Sequence, residues 1–220
     1  MAMEGPFVRV TTDVALEHRL EAPIAFLDRD GVVNIGRPGY VNSAVEVVLL
    51  PGAAASIGAF KRDGYLVCIV TNQSPLSRGL WGPTQLEAIH RSLQSKLLDE
   101  DANARIDAFI TCPHRFEDRC SCRKPSPNML HLGHRLLRTD PGFSSHELHN
   151  AGKQHGVVDW WGDKPESFHK LDAMVGDRRT DMGAGWAYGA RLFRVSRDVG
   201  LVQVEQRVLD RNDKGDSFQP

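Results

Sequence analysis

The sequence predicts an α/β fold: a three-layer, Rossmann-like architecture with a mostly parallel central sheet. Two observations lead to this prediction. Short apolar runs alternate with stretches of helical periodicity along most of the 220 residues, and alternating strands and helices form parallel sheets covered on both faces. Polar residues follow four of the apolar runs, at Asp28, Thr71, Cys112 and Asp177. Ligands of such sheets bind beyond the carboxyl ends of the strands, so we expect the chemistry there.

The individual elements follow from periodicity and from the residues that bound each run. Strands are predicted at residues 24–27, 65–70, 106–110, 173–175 and 191–195. Helices are predicted at residues 51–62, 83–100, 128–138 and 180–188. Pro51 near the first turn and Gly64 just past the end delimit the first helix. The first twenty residues have no clear pattern, and residues 211–220 are expected to form a mobile polar tail.

Length and composition favour one domain, residues 1–220, of a soluble globular protein. Hydrophobic residues make up 41% and charged residues 25% of the chain, and residues 139–170 are too long for an ordinary helix–strand connection, so they are interpreted as an insertion. The net charge of −1 provides no basic field for nucleic acid. The absence of a long apolar run and of a secretory signal predicts no membrane association and a cytoplasmic location. A monomer or small homo-oligomer is expected.

Two carboxylates lie two residues apart directly after the first predicted strand, in Asp28-Arg29-Asp30-Gly31. In a bend that leaves the strand, both can face one pocket and hold a hard cation. One carboxylate can then attack phosphorus while the other moves protons. The alternative is an Asp-rich turn that ends at Gly31.

Two further polar segments offer groups that bind phosphate. Thr71 and the following Asn72–Ser74 provide a hydroxyl group and backbone N–H groups at a strand end. Arg123 and Lys124 are adjacent cations that can balance phosphate charge, the arginine as a fork and the lysine as a point charge. Taken singly, the two segments also fit an ordinary polar turn and a solvated surface.

The fourth polar segment contains Asp177 and Asp181, separated by one helical turn. Asp177 is a candidate Mg²⁺ ligand, and Asp181 is positioned either to orient a ligand or to cap the next helix. Helix capping alone is the alternative for both residues. The order of the four segments, each near a predicted strand end, is a stronger signal than any one of them.

Three of the four cysteines cluster with a histidine, in Cys112-x-His114-x₅-Cys120-x-Cys122. Three thiolates and one imidazole form a complete tetrahedral shell for Zn²⁺, so the site is predicted to be structural. Its function would be to fix the loop that precedes Arg123 and Lys124. The remaining cysteine, Cys68, lies in an apolar run and is interpreted as a packing residue.

Histidines crowd the second half of the chain. They are His131, His134, His146, His149, His155 and His169. We interpret them as residues of helix surfaces and of the insertion. A second metal site is the alternative.

The segments together resemble the haloacid dehalogenase-like phosphatases over about residues 24–195. That family has Asp-x-Asp after a strand, then a Thr or Ser, a Lys, and Gly-Asp-x-x-x-Asp. The resemblance narrows to the subgroup of the D-glycero-D-manno-heptose 1,7-bisphosphate 7-phosphatases and the histidinol-phosphatase domain. The matching segments are residues 28–34, 39–41, 71–74, 112–114 and 120–125.

The resemblance implies a nearly capless phosphatase that forms an aspartyl-phosphate. Asp28 would be the nucleophile, Asp30 the general acid and base, and Thr71 and Lys124 would stabilise the phosphoryl group. Mg²⁺ would be bound by the carboxylates of Asp28 and Asp177 and by the carbonyl oxygen of Asp30. The residues expected to bind substrate are Arg29, Gly36, Arg37, Gly39, Tyr40, Asn72, Gln73, Ser74, Arg123 and Arg178. Arg178 is expected to reach a second, distal phosphate.

The implied reaction is removal of the 7-phosphate of a heptose 1,7-bisphosphate in nucleotide-activated heptose synthesis. Histidinol phosphate is the alternative substrate, and an inactive, zinc-stabilised module that binds sugar phosphate is the alternative of another class. The chain departs from the subgroup at residues 75–79, where Pro75 replaces a glycine. Proline removes a backbone N–H donor from this loop.

Overall fold

The computed structural model describes residues 4–12, 14–139, 149–150 and 163–220. The strands within these residues are β1 (Phe7–Val10), β2 (Ile24–Leu27), β3 (Leu66–Asn72), β4 (Ala108–Cys112), β5 (His149–Asn150), β6 (Ala173–Gly176) and β7 (Arg191–Arg194). The α-helices are α1 (Leu16–Arg19), α2 (Ala53–Arg62), α3 (Pro83–Glu100), α4 (Asn128–His134), α5 (Arg179–Tyr188) and α6 (Glu205–Leu209). Short 3₁₀ helices span Ala44–Glu46 and Gly200–Gln203, and a π-helical segment spans Arg135–Thr139.

The strands form one sheet in the order β5-β1-β4-β3-β2-β6-β7. The neighbouring strands β4, β3, β2, β6 and β7 run parallel to one another, whereas β1 pairs antiparallel with both β4 and β5. The sheet is therefore mostly parallel, as predicted. Each of the five strands predicted from the sequence is present, with ends that differ by at most two residues.

Apolar side chains of the central strands alternate between two cores, one on each face of the sheet. In β2, Ala25 and Leu27 pack in the core that contains α2 and α3, whereas Ile24 and Phe26 pack in the core that contains α4 and α5. The sheet is thus buried on both faces, which explains why its strands are continuous apolar runs. Cys68 is fully buried in the second core, as expected of a packing residue.

Both chain ends add structure that the sequence does not reveal. The N-terminal segment, which has no clear pattern, forms β1 against β4. The C-terminal segment, expected to be mobile, lies along β7: the backbone N–H of Asp216 donates to the carbonyl oxygen of Leu192, and Arg194 donates to the Asp216 carboxylate. The two segments thus become ordered where a sheet edge offers unpaired backbone groups, and Val8, Val10 and Phe218 also pack in the second core.

The helix predicted at residues 51–62 begins at Ala53 because Gly52 has a φ of 76°, outside the right-handed helical region. The helix predicted at 128–138 changes to π-helical geometry at Arg135. No helix in the described part of the chain is long and apolar enough to span a membrane.

Most of the insertion predicted at 139–170 lies outside the described residues, namely 140–148 and 151–162. His146 and His155 belong to these segments. Two other histidines pack against aromatic rings, since His134 stacks on Phe168 at 3.8 Å and His131 lies 5.1 Å from the ring of Tyr188. These contacts support a packing role for both.

Candidate active site

The carboxyl ends of the parallel strands bring the predicted catalytic residues to one edge of the sheet. Asp28 follows β2, Thr71 lies near the end of β3, and Asp177 follows β6. β2 lies between β3 and β6, so Asp28 and Thr71 line one cleft, and Asp177, which does not line it, lies beside Asp28. The cleft is lined by these residues predicted for the site: Asp28, Asp30, Gly36, Arg37, Gly39, Tyr40, Thr71, Asn72, Lys124 and Arg178.

Lys124 is buried at the base of the cleft. Its Nζ atom lies 2.9 Å from Oδ1 of Asp28 and 2.7 Å from Oδ1 of Asp181, and it donates to the carbonyl oxygen of Val70. Burial alone would lower the pKa of Lys124, but the two carboxylates outweigh burial and raise it. The Asn72 amide holds the lysine backbone, accepting from its N–H and donating to its carbonyl oxygen, both at 3.1 Å. Lys124 is therefore a fixed charge next to Asp28.

The carboxylates of Asp28, Asp177 and Asp181 form a cluster that fits a divalent cation. We call these three residues and Lys124 the floor of the cleft. One oxygen of each carboxylate lies within 4.8 Å of the others. Burial raises the pKa of Asp28 to about 6 despite the Lys124 charge, and burial and the Asp28 charge raise that of Asp177. Oδ1 of Asp177 is buried, and no described residue donates a hydrogen bond to it. Crowded carboxylate oxygens of this kind are the ligands that Mg²⁺ takes.

Asp30 is held by several hydrogen-bond donors. Arg29 binds it through Nε and Nη2 at 2.9–3.2 Å, Asn34 Nδ2 donates at 2.8 Å, and Gln73 Nε2 donates at 2.9 Å. Burial alone would raise the pKa of Asp30, but the Arg29 charge and these hydrogen bonds outweigh burial and lower it. Gln73 also donates to the hydroxyl of Thr71. Arg29 and Gln73, both predicted to bind substrate, thus contact Asp30 and do not line the cleft.

Two more residues predicted to bind substrate, Ser74 and Arg123, do not line the cleft. Ser74 is buried, and a hydrogen bond of 3.2 Å joins its hydroxyl to that of Tyr40, which does line the cleft. Arg123 donates from Nη1 to the carbonyl oxygen of His114 at 2.7 Å. The guanidinium of Arg123 therefore contacts the cysteine-rich loop.

Three arginines with exposed side chains surround the mouth of the cleft, and we call them the rim: Arg37, Arg178 and Arg197. Arg178 lies 3.9 Å from the Asp177 carboxylate, and Arg197 donates weakly to the carbonyl oxygen of Gly36 at 3.4 Å. The rim is thus positively charged and the floor is rich in carboxylates. A ligand with two anionic groups would fit this arrangement: the rim arginines would bind one group, and a metal cation held at the floor would bind the other.

The predicted zinc ligands come together as one cluster. Sγ of Cys122 lies 3.2 Å from Sγ of Cys112, 3.7 Å from Sγ of Cys120 and 3.3 Å from Nδ1 of His114. Sγ of Cys112 lies 3.6 Å from Sγ of Cys120. Tetrahedral zinc with Zn–S bonds of about 2.3 Å separates its ligand atoms by similar distances. The four side chains therefore fit a closed tetrahedral metal site.

Bacterial phosphatases are similar to this chain over most of its length. No protein-family model matches it. The D-glycero-beta-D-manno-heptose-1,7-bisphosphate 7-phosphatase of Pseudomonas putida is 35% identical over 185 residues, which cover 84% of this chain and 89% of the relative. The D-glycero-alpha-D-manno-heptose-1,7-bisphosphate 7-phosphatase of Mycobacterium tuberculosis is 33% identical over 158 residues, covering 71% of this chain and 68% of the relative.

The chain belongs to the heptose-bisphosphate phosphatase family of haloacid dehalogenase-like phosphatases. It is therefore a phosphatase by family, as the sequence motifs predict.

Solved structures agree with this family. The D,D-heptose 1,7-bisphosphate phosphatase from B. bronchiseptica, complexed with magnesium and phosphate, matches with a TM-score of 0.61 and 29% identity over 80% of this chain and 83% of that one. A haloacid dehalogenase-like phosphatase from Mesorhizobium loti matches with a TM-score of 0.70 and 21% identity over 99% of this chain and 98% of that one. The second match shows the shared fold alone.

Three residues of this heptose-bisphosphate phosphatase family member line the cleft but are absent from the predicted site: Thr180, Asp181 and Arg197. Asp181 caps α5, one of the two roles considered for it, because one of its carboxylate oxygens accepts from the backbone N–H of Arg178, while the other pairs with Lys124. Arg197 comes shortly after β7. The strand-end rule that selects Asp28 and Asp177 would have selected this region too, had it been applied to the fifth strand.

Proposed function

We propose that this chain is a Mg²⁺-dependent phosphatase that removes the 7-phosphate of a D-glycero-D-manno-heptose 1,7-bisphosphate. The observation that carries the proposal is the pairing of a carboxylate floor with an arginine rim in one cleft. The phosphate to be removed would lie at the floor, and the phosphate at position 1 would lie at the rim. The names of the relatives from P. putida and M. tuberculosis support this substrate.

In the first step a carboxylate oxygen of Asp28 attacks phosphorus. A bond forms between Asp28 and phosphorus as the bond from phosphorus to the sugar oxygen breaks, and Asp30 gives its proton to that oxygen. The surroundings of Asp30 favour its ionised form in the free enzyme, whereas a phosphate dianion in the cleft opposes that charge and favours protonation. Lys124 is already in contact with Asp28 and stabilises the negative charge of the transferring group.

In the second step water hydrolyses the aspartyl-phosphate. Asp30, now ionised, takes a proton from the water as its oxygen bonds to phosphorus, and the bond between phosphorus and Asp28 breaks. The products are inorganic phosphate and a heptose that keeps its 1-phosphate. An anomeric phosphate is the group that nucleotide activation of a sugar requires, which agrees with the predicted place in nucleotide-activated heptose synthesis.

The carboxylates of Asp28 and Asp177 and the carbonyl oxygen of Asp30 are proposed to hold Mg²⁺. When bound, Mg²⁺ neutralises the crowded carboxylates and polarises the phosphate oxygens. The unpaired, buried Oδ1 of Asp177 supports this assignment. The related structure from B. bronchiseptica, complexed with magnesium and phosphate, supports it independently.

Cys112, His114, Cys120 and Cys122 are proposed to bind one structural Zn²⁺. Thiolates and imidazole prefer zinc, whereas carboxylates prefer magnesium. The cluster leaves no ligand position open, so it would fix the loop and take no direct part in the reaction. Arg123 binds the carbonyl oxygen of His114 and immediately precedes Lys124, so the loop supports the floor.

Histidinol phosphate fits the cleft less well than a bisphosphate. Its amino group is positively charged, and the rim arginines would repel it. An inactive binding module is disfavoured as well, because a module that only binds has no need of Asp28 fixed against a charged Lys124.

Location in the cytoplasm, the nearly capless design, and a monomeric or small oligomeric state stay predictions.

A phosphate-release assay with Mg²⁺ tests the proposal. The panel contains both anomers of the heptose 1,7-bisphosphate, because relatives are named for each, together with histidinol phosphate and an aryl phosphate. Release from a heptose bisphosphate at a kcat/KM well above that for histidinol phosphate supports the proposal. The opposite preference, or no release from any substrate by folded protein, contradicts it.

A further inference from the structure

Arg29 is the largest of the fully buried side chains in the described part of the chain, with 1% of its surface exposed. It lies between the two catalytic aspartates in the sequence, but its guanidinium turns away from the cleft. Burying a guanidinium is costly unless it is paired. Its hydrogen bonds, through Nε and Nη2, go to the carboxylate of Asp30.

The backbone of Arg29 holds the same loop. Its carbonyl oxygen accepts from the N–H groups of Val33 and Asn34 at 2.9 and 3.1 Å. The Asn34 side chain in turn donates to Asp30. Arg29 thus fixes Asp30 directly through its guanidinium and indirectly through the turn that carries Asn34.

A buried histidine near Arg29, His90, adds no second positive charge beside the guanidinium. His90 is fully buried and stacks on Phe109 with ring centroids 4.5 Å apart. Burial, and then the nearby charges of Arg29 and Arg9, hold the pKa of His90 well below its ordinary value. His90 therefore stays neutral and does not repel the guanidinium.

We propose that Arg29 is a positioning residue, whose buried guanidinium orients the Asp30 carboxyl toward the leaving group. This inference rests on the proposed function, in which Asp30 transfers protons. In the rotamer that Arg29, Asn34 and Gln73 hold, Asp30 lines the cleft and keeps 22% of its side chain exposed. Asn34 and Gln73 each provide one neutral donor, whereas Arg29 provides a charged, planar fork, so Arg29 exerts the strongest constraint.

The test compares Arg29→Met with wild type on an alkyl phosphate and an aryl phosphate, both with Mg²⁺. An alkoxide needs a proton from Asp30 far more than an acidic phenol does. We expect kcat to fall by about 10²-fold on the alkyl phosphate and by less than about tenfold on the aryl phosphate. KM should stay near the wild-type value because Arg29 does not touch the substrate.

A double-mutant cycle with Asp30→Asn separates positioning from a general structural effect. If Arg29 acts through Asp30, Arg29→Met should change the aryl phosphate rate little once Asp30 is replaced. The matched control is Arg138→Met, which removes another buried arginine paired with an aspartate, Asp172, away from the cleft. The control should lower thermal stability without changing the ratio of the two substrate rates.

Arg29→Lys keeps the charge and loses the fork, so it keeps the test possible if Arg29→Met does not fold. We expect kcat of Arg29→Lys to lie between those of wild type and Arg29→Met, with the larger loss again on the alkyl phosphate. Equal losses on both substrates, additive effects with Asp30→Asn, or a raised KM with normal kcat would overturn the proposal. Absence of turnover by wild type would instead contradict the phosphatase function itself, so the two failures are distinguishable.

Discussion

The floor and the rim of the cleft differ in how firmly their charged groups are held. At the floor, Lys124 is 2% exposed and pairs with two carboxylates at 2.7–2.9 Å. At the rim, the Arg178 side chain is 66% exposed and its ion-pair contact is 3.9 Å long. Fixed charges in a water-poor site stabilise a transition state strongly, whereas exposed ion pairs contribute little. The difference predicts that the floor controls the rate and the rim controls which substrate binds.

The largest effect is expected from Asp28→Asn at the floor. An amide does not attack phosphorus and does not neutralise a metal charge, so turnover should fall by at least about 10⁴-fold. Thermal unfolding and circular dichroism should show an intact fold. A folded variant that keeps a tenth of the wild-type activity would contradict the assignment of the nucleophile.

Asp30→Asn should have the next largest effect. Substrate binding should persist, while kcat on an alkyl phosphate should fall by about 10²–10⁴-fold. An aryl phosphate should lose less, because its leaving group needs less protonation. Equal losses on the two substrates would argue against proton transfer by Asp30.

Cys120→Ser tests whether the cysteine cluster supports the floor. Metal binding is coupled to local folding, so loss of zinc should displace Lys124, and misplacement of a catalytic group by about 1 Å can cost about 10²-fold in rate. Added Mg²⁺ should not restore the activity of this variant. Elemental analysis should find about one zinc per wild-type chain, reduced in the variant.

Brief treatment of the wild type with EDTA tests the magnesium site separately from the zinc site. Activity should disappear and return on addition of Mg²⁺, while zinc stays bound, because the carboxylate site is open to the cleft and the thiolate site is closed. A wild-type chain that is fully active, folded and free of zinc would refute a structural zinc site.

The smallest effect is expected at the rim, from Arg197→Gln. KM for a heptose 1,7-bisphosphate should rise by about fivefold, with kcat nearly unchanged and with KM for a monophosphate unaffected. The difference from wild type should shrink at high salt, since exposed charges are screened. Arg194→Gln is the matched control, because Arg194 is exposed three residues earlier but lines a different cavity. A rim variant that lowers kcat on both substrates would erase the distinction between floor and rim.

The strands, the order of the catalytic segments and the cysteine cluster were predictable because each has a local signal. A fully buried strand is a continuous apolar run, as in β2, and metal ligands such as Cys120 and Cys122 lie close together in the sequence. The two end segments had weaker signals. β1 is a run of only four residues that contains the polar Arg9, and the C-terminal segment around Asp216 is polar apart from Phe218, so it took their pairing with the sheet to order them.

The sequence by itself determined which residue types stand at the strand ends, because parallel strands must present their carboxyl ends together once the sheet forms. It did not determine which way each side chain turns. Arg29 and Arg178 each directly follow an aspartate of the site, yet Arg29 is buried against Asp30 while Arg178 extends into solvent. Only the tertiary structure decides this, because an ion pair is buried where further donors surround it. Here Gln73, from the distant end of β3, and Asn34 both donate to Asp30, the partner of Arg29.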